Sequence, residues 1–172
     1  MIMPRGQALL SPASPSFIWI TLLLALLLDF LPLGRVVWMP DFLAVVLVFW
    51  SIHQSRRVGL TVAFAFGLAL DVHQAALLGQ NALSFSVLIF LANMAQRRIL
   101  WFPVLMQAVQ LLPVFVAAQG ITVALRLIVG GAPPGWHVLL APLLEAALWP
   151  VVSALLLAPQ RRASRSDANR SL

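Results

Sequence analysis

Between residues 17 and 158 the chain is a succession of apolar runs, broken only where proline, glycine or paired arginines stand. Runs of this length and spacing leave little freedom, since a helix of about 20 apolar residues is what crosses about 30 Å of hydrocarbon. Six spans are expected: 17–33, 36–52, 58–78, 82–96, 101–129 and 137–158. The second and fourth are short and must tilt little, thin the bilayer or borrow flanking residues. Pro103 stands near the start of the fifth, where a missing N–H costs least, and Pro113 gives that span a cause to bend. With 62% apolar and 9% charged residues, the whole 172-residue chain reads as one all-α integral membrane protein, a bundle of six transmembrane helices.

Charge sets the orientation. No lysine occurs, and the eleven positive charges are all arginine. Arg5, Arg56, Arg57, Arg97, Arg98, Arg161, Arg162, Arg165 and Arg170 fall on one side of the spans, and only Arg35 and Arg126 on the other. Nine against two is a strong positive-inside bias, so both termini are expected in the cytoplasm. Topology thus accounts for the net charge of +6, and nucleic acid is not an expected partner, because a basic binding face needs a solvated surface that this chain hardly has. Membrane lipid is one, since the arginine pairs suit an anionic inner leaflet. Arg5 before the run Phe17 to Leu28 is reminiscent of a signal peptide, but no small-x-small cleavage site follows, so that run is read as a retained first helix. Residues 1–16 are expected as a flexible tail, 17–158 as the membrane domain and 159–172 as a basic disordered tail.

Within the third span, Gly59, Ala63, Gly67 and Asp71 recur at intervals of four, forming a narrow stripe of small residues that ends in a charge. Such a stripe lets another helix backbone approach, and it is the candidate packing and partner-binding surface. The opposite face carries Phe64, Phe66, Leu68 and Leu70. At 1.5 Å per residue, Asp71 lies roughly 20 Å from the cytoplasmic end of its span and Glu145 roughly 12 Å in from the outer end of the sixth. Asp29, Asp41, Arg35, His73, Arg126 and His137 fall on the same outer side, which predicts a polar layer beneath the outer surface.

Intramembrane carboxylates cost about 2.5–3.5 kcal/mol each near a helix centre and are therefore paired or turned inward. Two uses are open for Asp71: a contact to a partner helix along the stripe, or a hold on backbone N–H groups in the turn leading to Gly79. For Glu145 the alternatives are a ligand or partner contact and a structural pair with Arg126. Asp29, Asp41, Gly79, Arg126 and Glu145 together form the expected buried polar framework. Gln107, Gln110 and Gln119 are expected to bond between helices, at about 0.6 kcal/mol each. Trp19, Trp38, Trp101, Trp136 and Trp149 are assigned to the interfacial belts.

Catalytic signatures do not assemble. The residues ahead of Asp71 are Leu68, Ala69 and Leu70 instead of the Gly-x-Gly of an intramembrane aspartyl protease, and Gly-x-Ser occurs nowhere. No cysteine is present, and His73, two residues after Asp71, falls on another helical face, so neither a metal nor another cofactor is expected.

The order of motifs resembles a known family. Met39-Pro40-Asp41-Phe42, Arg56-Arg57-Val58-Gly59, Gly67 through Gln74 and Leu78-Gly79-Gln80-Asn81-Ala82-Leu83 look like the bacterial rod shape-determining protein MreD. Ala141-Pro142-Leu143-Leu144-Glu145 and Leu157 through Arg162 look like its proteobacterial branch. That resemblance implies a non-catalytic scaffold of the cell-elongation machinery in the bacterial inner membrane. Its implied partners are MreC, MreB and a peptidoglycan polymerase paired with a penicillin-binding protein. It also implies a fold similar to the substrate-binding subunits of energy-coupling-factor vitamin transporters, so a small-molecule transport subunit is the alternative. Those subunits dock their energising partner through Ala-x-x-x-Ala on the first helix, whereas here Ala25 is followed four residues later by Asp29.

Overall fold

A computed structural model describes residues 13–31 and 39–168. Arg5, Arg35, Trp38 and Arg170 lie outside the described residues. The described chain is all helix: α1 Pro15–Phe30, α2 Phe42–His53, α3 Leu60–Gln74, α4 Gln80–Leu100, α5 Val104–Ile128 and α6 Leu140–Ala168, with a 3₁₀ turn, Trp136–Leu139, ahead of α6. The helices α4, α5 and α6 are long and apolar enough to cross a membrane; α1, α2 and α3 are apolar but shorter. This is an α-helical membrane protein. The fourth span, expected to be short, is extended at both ends, because Gln80 and Asn81 join its first turn and Arg97 and Arg98 its last. Helix α6 continues beyond Pro159 into the arginine-rich segment, as far as Ala168.

The second helix organises the rest. It has twelve residues, about 18 Å of rise, and every residue from Leu43 to Ile52 is buried. A helix apolar on all sides belongs inside a larger body, and α2 packs on α1, α4 and α6. It therefore needs no bilayer thinning to explain its length. What it does need is a partner for the polar groups that its two ends leave without intrahelical bonds. At its C-terminal end Gln96 Nε2 donates to Ile52 O at 2.6 Å, and Ser51 Oγ donates to Asn93 Oδ1 at 2.6 Å. One residue before Ser51, Trp50 Nε1 donates to Thr21 Oγ1 at 2.9 Å, tying α2 to α1. Phe49 sits edge-on to Trp50 at 5.1 Å and 6.0 Å from Trp149, so aromatic packing joins α2 to α6.

Trp149 departs from the expected interfacial belt. It is buried, and its Nε1 donates to Gln107 Oε1 at 3.1 Å, which joins α6 to α5. A buried indole N–H requires an acceptor, and Gln107 supplies it. Trp19, Trp101 and Trp136 are exposed.

Candidate structural site: carboxylates at two helix starts

The small-residue stripe determines how α3 and α4 meet. Gly67 lies so near the start of α4 that a Cβ placed on it would stand 2.4 Å from the Cα of Ala82 and 2.8 Å from the carbonyl carbon of Asn81. Ala63 is buried on the same face, while Gly59 is only half-buried. The close approach made possible by glycine is therefore taken up by α4 of the same chain.

Asp71 stands at the end of that stripe, 1% exposed. Its Oδ2 accepts from Gly79 N–H at 2.9 Å and Ala82 N–H at 3.3 Å, and its Oδ1 from Asn81 N–H at 2.8 Å. These are N–H groups that a helix start leaves without intrahelical partners, and a carboxylate at the positive end of the helix dipole is favoured there. The turn that brings them round needs two left-handed residues, Ala75 at φ 47° and Gly79 at φ 96°. Glycine takes up such a φ without the Cβ clash that an L side chain meets. Asn81 Nδ2 then donates to Gln74 Oε1 at 3.3 Å, closing the turn from the other side.

A second set of carboxylates serves α2 in the same way. Asp29, one residue before the end of α1, accepts from Phe42 N–H at 3.1 Å and Leu43 N–H at 2.8 Å through its two oxygens. Glu145 reaches across from α6, its Oε1 accepting from Asp41 N–H at 3.2 Å. Three successive N–H groups at the start of α2 are thus bonded to side chains 13, 14 and 104 residues away in sequence. Asp41, the residue before the helix, makes no capping bond of its own.

The pairing of Glu145 with Arg126 suggested by chain order is not what forms. Glu145 is 5% exposed and bonded to backbone, whereas Arg126 is exposed and lies in the wall of a cavity of about 650 Å³ beside the start of α2, acting electrostatically on Asp41. A guanidinium remains hydrated there, while the neutral N–H of a helix start serves the buried carboxylate. Asp71 and Glu145 accordingly do not join each other: one fixes α4 and the other α2. His73 stacks on Phe30 at 4.0 Å with its Nε2 3.2 Å from Phe30 O, bracing α1 against α3. Among the described residues no cluster of metal-ligating side chains occurs.

Sequence reasoning missed Gln74, Gln80, Asn93 and Gln96. The available signal was an amide in an apolar run, the same that singled out Gln107.

If Asp29 and Glu145 cap one helix end together, their losses will be coupled. Asp29→Ala leaves two N–H groups without their acceptor and is expected to cost about 2–4 kcal/mol, and Glu145→Ala about 1–3 kcal/mol. The double variant should depart from the sum by at least about 0.5 kcal/mol when unfolding is followed in mixed micelles. Strict additivity would mean that the two carboxylates act on α2 independently.

No solved structure shows a significant match to the chain. Compared with models of known families, residues 13–158 match the one described as rod shape-determining protein MreD.

Proposed function

Because the chain belongs to the MreD family of rod shape-determining proteins, we propose that it is a non-catalytic scaffold of the cell-elongation machinery in the bacterial inner membrane. Its partners in this reading are MreC, directly through transmembrane helix contacts, and through the assembly MreB and the peptidoglycan polymerase with its penicillin-binding protein. The observation that carries the reading is the use made of the intramembrane carboxylates. Asp29, Asp71 and Glu145 are all committed to backbone N–H groups at helix starts, so the costliest side chains in the membrane hold the bundle rigid. A rigid bundle presents fixed apolar faces to neighbouring helices. Gly67, with the buried Ala63 and Asp71 on the same face, sets the α3–α4 spacing on which those faces depend.

The arginine bias supports a topology with both termini in the cytoplasm. The chain has no cysteine, so single thiols report topology without background. Ala132→Cys is expected to react with an impermeant maleimide on whole spheroplasts, and Ser55→Cys only after the membrane is opened. The reverse pattern would invert the topology.

The scaffold itself is tested by photo-crosslinking in cells whose rod shape depends on this chain. A crosslinking residue is placed singly at Leu24 on α1, Val109 on α5 and Val151 on α6, all exposed. Crosslinks to MreC from one of these faces and not from the others are the expected result. Restored rod shape with no crosslink to any elongation protein from any face would overturn the proposal.

A further inference from the structure

The fold uses the arginine pairs Arg56–Arg57 and Arg97–Arg98 differently. Both stand at one end of the bundle, since the bond from Gln96 Nε2 to Ile52 O brings the last turn of α4 level with that of α2. In the first pair, Arg57 Nη1 donates to Ala13 O at 3.0 Å and ties the entry of α1 to the α2–α3 loop. In the second, Arg97 and Arg98 are both exposed in the last turn of α4, and with Trp101 and Phe102 they line one surface concavity. The carboxylates whose side chains are described stand at the opposite end of α4. Asp71 is bonded at its start, Asp29 and Asp41 share a cavity wall with Gln80, and Glu145 is bonded to Asp41 N–H. From Gln80 to Arg97 is roughly 25 Å of helix.

The turn beneath the concavity is held in place by its own bonds. Trp101 N–H donates to Arg98 O at 3.3 Å, Phe102 N–H to Ile99 O at 3.2 Å and Gln107 Nε2 to Phe102 O at 2.9 Å, while Ile99 is fully buried. Yet this fixed turn presents Trp101 86% exposed and Phe102 41% exposed beside the two arginines. Guanidinium groups and aromatic rings side by side suit a ligand in which phosphate adjoins hydrocarbon: the guanidinium pairs bidentately with phosphate oxygens, and an indole settles at headgroup level. Two guanidinia complement a headgroup of net negative charge, whereas a zwitterionic one adds an ammonium that they repel. Depth favours the bilayer over a soluble acidic protein. Both α4 and α5 are long and apolar enough to cross a membrane, and only Trp101, Phe102 and Pro103 join them, so the concavity lies where the chain leaves the hydrocarbon. We infer that this concavity binds the headgroup of an anionic glycerophospholipid. Arg97 and Arg98 donate to its phosphodiester, and Trp101 and Phe102 lie along its glycerol and upper acyl chains. The inference rests on the chain being a membrane protein and does not need the scaffold reading.

The full chain is placed in nanodiscs holding equal parts of phosphatidylglycerol and phosphatidylcholine, and native mass spectrometry counts the lipids that stay bound. Preferential retention of phosphatidylglycerol is expected, weakened about fivefold by Arg97→Gln or Arg98→Gln alone and by more than about tenfold by the two together. Arg56→Gln removes the same charge from the same end of the bundle and should leave the preference unchanged. All three side chains are exposed, so none of these changes disturbs the core. Equal retention of the two lipids overturns the inference. A preference that Arg56→Gln weakens as much as Arg98→Gln also overturns it, because the effect would then belong to net charge and not to a site. A hexaglutamate peptide is titrated in parallel. If the peptide binds, the double variant abolishes that binding and no lipid preference is seen, the concavity belongs to an acidic protein segment and the lipid assignment fails.

Discussion

Replacing Asp71 with alanine is expected to lower the stability of the bundle by about 3–5 kcal/mol, the largest loss from any single truncation of a polar side chain in this chain. One carboxylate accepts three backbone N–H groups, and all three lie at the start of a helix whose other contacts depend on that turn. Each such bond contributes about 0.5–1.5 kcal/mol, and an orphaned buried donor keeps its full desolvation cost of about 1–3 kcal/mol. Part of that loss is recoverable, because Gln80 and Asn81 border the cavity beside the start of α2 and water entering there can reach the turn. Asp71→Asn keeps one accepting oxygen and should fall between the two. The measurement is unfolding in mixed micelles, with hydrogen exchange at Asn81 and Ala82 as the local report. A loss below about 1 kcal/mol for the alanine variant, with those amides still protected, would mean that the turn holds without the carboxylate.

Several of these features are legible in the sequence and others are not, for identifiable reasons. That Asp29, Asp41, Asp71, Arg126 and Glu145 share one side follows from helix counting and the arginine bias, both of which survive small errors in helix ends. For Asp71 the backbone N–H groups of the turn leading to Gly79 are one of the two uses the sequence leaves open, and they are the ones bonded; what Asp29 and Glu145 bind does not follow, because the partner is backbone N–H and carries no residue identity. Arg126 is the visible opposite charge, so chain order favours it; the helix start of α2 is invisible until its position is known. The same gap hides the burial of α2, since Phe42 to His53 is apolar on every face, and uniform apolarity does not distinguish lipid from protein. Trp149 shows the converse: its composition places it in a belt, but its N–H and the amide of Gln107 point to a buried pair.

The Gly59–Ala63–Gly67 stripe is legible as a packing surface, and the structure gives it an occupant. Gly67→Leu is therefore expected to fail in the fold itself. The added Cβ alone would stand 2.4 Å from Ala82 Cα and 2.6 Å from Ala82 N, both backbone atoms that no rotamer change can move. Overpacking of this kind costs about 1–3 kcal/mol for a well-seated methyl group, and more for leucine, whose remaining atoms need a further shift of α4. That shift pulls Asn81 and Ala82 away from Asp71, so combining Gly67→Ala with Asp71→Ala should cost less than the sum of the two. Gly120→Leu on α5 is the control: its Cβ meets nothing within 4 Å, and leucine is the better helix former, so stability should change by less than about 1 kcal/mol. The decisive comparison is between stability in mixed micelles and co-purification with MreC. Loss of both in Gly67→Leu, with both retained in Gly120→Leu, follows from a stripe closed by α4. A Gly67→Leu chain that is as stable as its parent and fails only to bring down MreC would assign the stripe to the partner instead.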